Sequence, residues 1–472
     1  MDKQNLFSQI DNRAEELKSI CRQIWEYAET ALNETRSSAL LRDYLQRAGF
    51  RIKEVPGLPT AFIAEYGEGR PVIGILSEYD ALPGLSQKVQ AEKEKREGTE
   101  NGHGCGHNMI CTSMLGTAVA LREAMNGNGL KGTLRYYACP AEEITVGKVE
   151  MARQSLFDDL DAVLGWHPSQ LNVVARSTYL ATNSIKFHFK GKSSHAAAAP
   201  EAGRSALDAV ELMNVGANYL REHINDKARL HYCITNGGTS PNTVPEDAEV
   251  WYIVRAPRRN EVQDITRRLY KIAAGAALMT ETKVIPEFQS GCYDVMPNEV
   301  LSQVLDENLQ AVGAIGFTKQ DYAFARELGR DFTEEQRRRV GAALFTEPGQ
   351  IPKGSYLEAG VYSVSDRGTV KAASTDAGDV SYIAPFAQFN VATWPLGCPP
   401  HSWYASAASG SGIGMNAMIF AAKVLAGSLA DLFTHPETVE RARKEFRESL
   451  DGFRYVAPAE EAAANEALTT IV

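Results

Sequence analysis

The chain has 472 residues, with 49 Lys plus Arg against 59 Asp plus Glu, a formal charge of −10. Hydrophobic residues at 44% and charged residues at 23% suit a folded chain of two or three domains with a sizeable core, which excludes disorder over most of the length. The acidic balance argues against non-specific nucleic-acid binding, and 7 Cys, an odd number, do not read as a disulfide framework, so a reducing, cytoplasmic setting is expected.

Residues 1–26 carry acidic side chains and no apolar h-region, so they do not read as a signal peptide. Leu6, Ile10, Leu17, Ile20 and Ile24 fall at helical spacing and predict an amphipathic first helix. A helix over Ser37–Ala48 is followed by strands at Arg51–Val55, Thr60–Tyr66 and Pro71–Ser77. The charged, turn-rich stretch Leu85–Gly102 reads as a surface loop. Then come helix Met109–Met125, strand Leu134–Cys139, helix Lys148–Gln154 and strand Ala162–Trp166. Strands alternating with helices predict an α/β domain with a mostly parallel sheet covered on both faces. Met109–Leu121 is apolar but short, and no run approaches 18 uninterrupted apolar residues, so no membrane span is expected.

Near residue 180 the pattern changes. Ile185, Phe187 and Phe189 alternate along Asn183–Lys190, helix Ser205–Ile224 follows, then strands Leu230–Thr235 and Glu249–Arg255 and helix Glu261–Leu278. This predicts a ferredoxin-like α+β module, inserted at 181–290 between a first part of the large domain, 1–180, and a second, 291–472. Within the second part, about 318–345 is highly charged and reads as an exposed helix or a mobile insertion. The large domain is expected to resume with Val370–Pro400 and helix Ile413–Phe433, and the tail from Asp451 is Ala/Glu-rich and a candidate for disorder.

The strongest local signal is Gly102-His103-Gly104-Cys105-Gly106-His107 before an apolar helix. Cys105 and His107, two apart at a glycine-permitted bend, can turn toward one point, and a helix N-terminus favours a thiolate. Thiolate with imidazole is a zinc-type donor pair, and manganese is open if oxygen donors join. Cys139-Pro140-Ala141-Glu142-Glu143 places two carboxylates past a strand's C-terminal end, where α/β sheets carry their sites. One can ligate while the other takes a proton from water. His167 ends a hydrophobic strand, as a ligand or as a satisfied core histidine. His401 follows the rigid Pro399-Pro400, and Glu78 and Asp80 lie just past the Pro71–Leu76 strand, placed to orient ligating imidazoles from behind. This inventory suffices for two metals sharing a ligand and a water, and amide hydrolysis is the reaction class that fits. In the inserted module, His195 and Asn242 on loops can donate to an oxyanion, and Arg255 can grip a carboxylate. Loop capping or surface exposure is the plainer alternative for each.

Together the strings E-Y-D-A-L-P-G, N-G-H-G-C-G-H-N, the P-x-E-E pair, W-H-P, G-R-S-A-L-D-A-V and A-S-T-D-A-G-D-V-S resemble the co-catalytic-metal amidohydrolase family that includes aminoacylase, glutamate carboxypeptidase and the N-acyl-amino-acid amidohydrolases. The resemblance implies a large mixed-sheet metallopeptidase-like catalytic domain with an inserted lid and dimerisation domain. It implies two divalent ions, zinc or manganese, held by Cys105, His107, Glu143, His167 and His401, with Glu142 as general base and Asp80 orienting a ligand. It also implies that His195 and Asn242 reach the site of the partner subunit, that Arg255 holds the substrate carboxylate, and that the substrate is a small N-acyl or N-aroyl amino acid, p-aminobenzoyl-glutamate among them. A homodimer is expected, with a heteromer of related subunits as the alternative. Three departures stand out: Glu78-Tyr79-Asp80 replaces the usual His-x-Asp, Asn108 and Ile110 replace the Asp and final His of H-G-C-G-H-D-x-H, and Ile144-Thr145-Val146-Gly147 is less glycine-rich than in relatives.

Overall fold

Val72–Glu78 is buried along its whole length, as is Phe386–Ala392; runs this apolar belong at the centre of a sheet covered on both faces. In the computed structural model, which describes residues 2–342, 350–363 and 366–469, both are inner strands of a seven-stranded sheet. The chain divides into two units, the first made of Met1–Ser177, Met296–Thr369 and Val380–Phe453. Its strand order is Arg51–Glu54, Phe62–Glu68, Gly132–Cys139, Val72–Glu78, Ala162–Ser169, Phe386–Ala392, Val173–Ala175.

The sheet is mixed, where the helix–strand alternation predicts a mostly parallel one. The inner pairings, Val72–Glu78 with both neighbours and Ala162–Ser169 with Phe386–Ala392, are parallel. The outer pairings are antiparallel. Link length accounts for the difference: Arg51–Glu54 runs into Phe62–Glu68, Phe62–Glu68 into Val72–Glu78, and Ala162–Ser169 into Val173–Ala175 through segments without a helix, so the chain reverses each time and Phe62–Glu68 and Val173–Ala175 run against their sheet neighbours. Such segments are too short for the crossover that a parallel pair needs. The helices His107–Asn128 and Gly412–Thr434 pack in one core with the sheet and with the N-terminal helices Lys3–Asn12, Ala14–Tyr27 and Thr35–Arg47. Gly412–Thr434 is long and apolar enough to cross a membrane by length and composition alone, but 89% of its most apolar window is buried, so it is a core helix of this unit.

The charged insertion forms two helices, Lys319–Leu328 and Glu334–Ala342, and its residues 343–345 lie outside the described ones. It is more than a solvated face. Thr318 and Asp321 close a capping box on the first helix, and Arg337 is buried with its guanidinium 4.0 Å from the Tyr356 ring centroid.

The second unit comprises Thr178–Val295, Val370–Asp379 and Arg454–Val472. Its four strands, in the order Lys283–Cys292, Ala181–Lys190, Asp247–Ala256, Arg229–Asn236, are all antiparallel. This is the ferredoxin-like arrangement, with helices Ala206–Leu220 and Arg259–Thr280 sharing its core. Ile185, Phe187 and Phe189 are buried there, while Lys186, His188 and Lys190 alternate outward. Two later segments join this unit, although the sequence patterning groups 291–472 as one. Val370–Lys371 pairs in parallel with Thr178–Tyr179. The tail forms helix Pro458–Glu466, whose Glu461 accepts from Arg259 Nε at 2.9 Å and from the Tyr293 hydroxyl at 2.8 Å. Tail residues 470–472 lie outside the described ones.

Candidate metal centre

Three strands, one glycine-rich bend and one proline-rich turn of the first unit deliver the site. Strand Val72–Glu78 ends in Glu78, with Asp80 two residues on. The glycine-rich bend ends at Gly106, whose φ of +80° suits glycine. That bend makes His107 the first residue of its helix, with Cys105 just before it. Strand Gly132–Cys139 leads into Ala141, at the strained φ of +57°, and then the single 3-10 turn Glu142–Ile144. His167 lies within strand Ala162–Ser169. His401, also left-handed at φ +53°, follows Pro399-Pro400 and is tied back by its N–H to the Gly104 carbonyl at 3.1 Å.

These side chains converge. Cys105, His107 and His167 offer donor atoms within 4.8 Å of one another, and so do Cys105, Glu143 and His401, and Glu78, His107 and Glu142. Cys105 belongs to two of the three triads. Its Sγ lies 3.4 Å from His167 Nε2, and His401 Nε2 lies 3.6 Å from a Glu143 oxygen. Around His107 Nε2, oxygens of Glu78, Glu142 and Glu143 stand at 3.6, 3.8 and 3.9 Å. Those separations are too long for hydrogen bonds. They approach the spacing of about 3.4 Å between donors bound to one cation at roughly 2.1 Å in a tetrahedron. His107 Nε2 and Glu143 Oε1 are buried without a hydrogen-bond partner. Buried polar atoms of this kind need explaining, and an ion is one of the explanations. The donor set of thiolate, imidazole and carboxylate therefore fits zinc or manganese.

The surroundings prepare the donors. Asp80 Oδ1 takes the Nδ1 side of His107 at 2.8 Å, and its Oδ2 accepts from the Glu143 N–H at 2.9 Å. His167 Nδ1 lies 2.8 Å from the Pro168 carbonyl. Both rings thus have their inner nitrogen fixed by a partner on the outer one. Burial lowers the pKa of His167 to about 4, so the ring is neutral and able to ligate. Burial also pushes Glu143 up to about 7, with Asp80 and Glu78 adding to the rise against the pull of His107. Burial and the Glu143 carboxylate raise the Cys105 thiol, so the helix N-terminus alone does not secure the thiolate expected there. A cation at this point would.

Sequence patterning groups Glu78 with Asp80, yet only Asp80 stands behind a ring. Glu78 Oε2 faces the inner nitrogen of His107, and its Oε1 pairs with the buried Lys148 at 2.7 Å. His103 turns elsewhere, its Nε2 3.0 Å from the Ile24 carbonyl. Two residues that the motifs do not mark also contribute. Glu34, wholly buried, accepts from the Ala141 N–H at 2.8 Å and the Thr60 hydroxyl at 3.1 Å, bracing the turn that carries Glu142 and Glu143. Lys148 is the other; in sequence it is one more charge in a helical pattern.

His195, Asn242 and Arg255 belong to the second unit. The first two come together: the Ala196 N–H donates to the Asn242 carbonyl at 3.0 Å, and His195 bridges Thr243. Both side chains are exposed. His195 Nδ1 accepts from the Ala197 and Ala198 N–H groups at 3.2 Å, a loop cap that leaves Nε2 outward. Arg255 lies on strand Asp247–Ala256, with its Nε buried and without a hydrogen-bond partner.

Residues 181–279 match the family model M20_dimer, described as a peptidase dimerisation domain. The chain is 40% identical over 451 residues to one of the subunits of p-aminobenzoyl-glutamate hydrolase of Escherichia coli, covering 93% of each chain. It is 30% identical over 461 residues to a mouse Xaa-Arg dipeptidase, covering 94% of this chain and 92% of the relative. In fold it is similar to a Bacillus subtilis dinuclear metal binding peptidase of the M20 family, with a TM-score of 0.55, 19% identity and coverage of 88% of this chain and 98% of that one.

Proposed function

The chain belongs to the M20 family of metal-dependent amidohydrolases and peptidases, and from that premise we propose that it hydrolyses the amide bond of an N-acyl or N-aroyl amino acid, with p-aminobenzoyl-glutamate as the first substrate to test. One observation carries the reading: Cys105 is common to two donor triads, beside buried and unpartnered His107 Nε2 and Glu143 Oε1. Cys105, His107, Glu143, His167 and His401 would hold two ions, zinc or manganese. Such a pair supplies Lewis acidity, lowering the pKa of a water and polarising a carbonyl.

The protein's own groups do the rest. Asp80 fixes the His107 ring so that Nε2 is presented inward. Glu142, on the same tight turn as Glu143, takes the proton of the attacking water and returns it to the leaving nitrogen. In the reading that the family resemblance implies, His195 and Asn242 would reach the site of the partner subunit, where His195 would donate to the developing oxyanion, and Arg255 would hold the substrate carboxylate. The dimerisation module supports a homodimer. The relative that is one subunit of a larger hydrolase supports a heteromer as the alternative. A thiol donor at Cys105 suits a reducing, cytoplasmic compartment.

The test is hydrolysis by zinc- or manganese-loaded protein of a panel containing p-aminobenzoyl-glutamate, N-acyl amino acids, indole-acetyl-aspartate and dipeptides. Cleavage of acyl or aroyl conjugates upholds the proposal. Preference for dipeptides favours the second reading, which the dipeptidase relative supports. Turnover only with a related subunit present favours the heteromer. No cleavage under any of these conditions overturns the proposal.

A further inference from the structure

Lys148 is fully buried, which is rare for lysine and is tolerated only with a partner. Its position follows from the backbone. Thr145 is left-handed at φ +53°, and Gly147 packs so closely on Pro140 that a Cβ there would lie 1.8 Å from the Pro140 carbonyl oxygen. The segment after Glu143 thus folds back on the start of its own turn, and helix Gly147–Arg153 begins there with Gly147 and Lys148 buried. From there Lys148 Nζ reaches Glu78 Oε1 at 2.7 Å. The other oxygen, Glu78 Oε2, stands 3.6 Å from the unpartnered His107 Nε2, in the triad with His107 and Glu142.

We propose that Lys148 is a positioning residue of the metal centre: it clamps one oxygen of Glu78 so that the other serves as a sixth protein donor to a divalent cation beside His107. An imidazole offers one inward nitrogen, held from behind. A carboxylate has two oxygens and would swing or chelate unless one were taken. The ammonium takes that one. It also sets a buried positive charge against Glu78, Asp80, Glu142 and Glu143, which crowd one point before any ion arrives.

The inference rests on the metal-centre reading above, and the test separates the two. Apo wild type, Glu78→Gln, Lys148→Met, Lys148→Arg and the double variant Glu78→Gln/Lys148→Met are titrated with Co²⁺, reading stoichiometry, affinity and the visible absorption of the bound ion. Circular dichroism of each apo form checks folding. Wild type is expected to take two ions. Glu78→Gln and Lys148→Met each weaken one of them about 10- to 100-fold and alter the Co²⁺ spectrum alike, and Lys148→Arg restores most of both. In the Glu78→Gln background, Lys148→Met costs no further affinity, because Lys148 acts through Glu78. Should Lys148→Met alone not fold, the double variant, which removes both charges, still carries the comparison. Wild type that takes no ion overturns the metal centre and this inference together. Two ions in wild type, with unchanged affinity and spectrum in Glu78→Gln, or an added loss in the double variant, overturns this inference alone.

Discussion

Asp80 Oδ1 stands 2.8 Å from His107 Nδ1, and the opposite nitrogen of the same ring faces three carboxylates, all beyond hydrogen-bonding distance. One short contact thus fixes the tautomer and the aim of a ligating ring. Asp80 also accepts the Glu143 N–H, so it braces at once a donor at a helix start and one on the 3-10 turn. Asp80→Ala is expected to lower metal affinity by about 10- to 100-fold, measured as metal retained after graded chelation with EDTA. Retention equal to wild type would remove Asp80 from this role.

Glu142 and Glu143 are neighbours on one 3-10 turn and cannot do the same work. Glu142→Gln is expected to lower kcat about 100- to 10,000-fold with metal content unchanged. Glu143→Gln is expected to lower metal content as well. Steady-state kinetics paired with metal analysis of each variant check the division. A Glu142→Gln enzyme with wild-type turnover would overturn the assignment of the base.

Glu34 contributes nothing to the chemistry directly, yet its carboxylate holds Ala141 in a left-handed conformation that a non-glycine residue rarely adopts. Glu34→Ala strands the buried Ala141 N–H and Thr60 hydroxyl. The expected cost is about 1–3 kcal/mol of stability per stranded group, with a loss of turnover as the turn relaxes. Thermal unfolding and kcat, compared with Glu34→Gln, which keeps one acceptor, measure it.

How much of this is legible in the sequence depends on the kind of signal. Cys105 and His107 announce themselves because glycines flank donors just before an apolar helix. The module beginning near residue 181 is legible because Ile185, Phe187 and Phe189 alternate. Three features are not. Glu78 and Asp80 share a strand face by period, and spacing cannot say that one stands behind His107 and the other before it; the fold decides through Lys148. Lys148 itself reads as a solvated charge, because burial by a fold-back on Pro140 leaves no periodic trace. The sheet's antiparallel margins follow from link lengths, which helix–strand alternation alone does not weigh.

The C-terminal tail, read from composition as a candidate for disorder, is held through Glu461. This carboxylate meets the guanidinium of Arg259, which is 3% exposed, and also the Tyr293 hydroxyl. Removing one partner of a buried ion pair leaves the other charge uncompensated, at a cost of about 3–5 kcal/mol. Glu461→Ala should therefore unfold at lower temperature and expose the tail to limited proteolysis. Wild-type melting and cleavage patterns would show that the tail is held by other contacts.

Asp379 offers a pH test away from the metal ligands. Burial raises its carboxyl to about 7, against the Tyr293 N–H, the Tyr455 hydroxyl and Arg259, which favour its charge, while Asp376 adds to the rise. Its folded-state pKa lies above the unfolded value of about 3.9, so between the two the folded chain binds the extra proton. The stability this proton confers is fully present below about pH 4. It is lost as the pH rises toward 7, at up to about 1.4 kcal/mol per pH unit. Asp379→Asn, neutral at every pH, should remove this component. Urea unfolding of wild type and variant at pH 5, 6 and 7 reads it: the stability difference between them is expected to shift toward the variant as the pH rises, and a difference constant across that range would show that Asp379 keeps its charge in the folded chain.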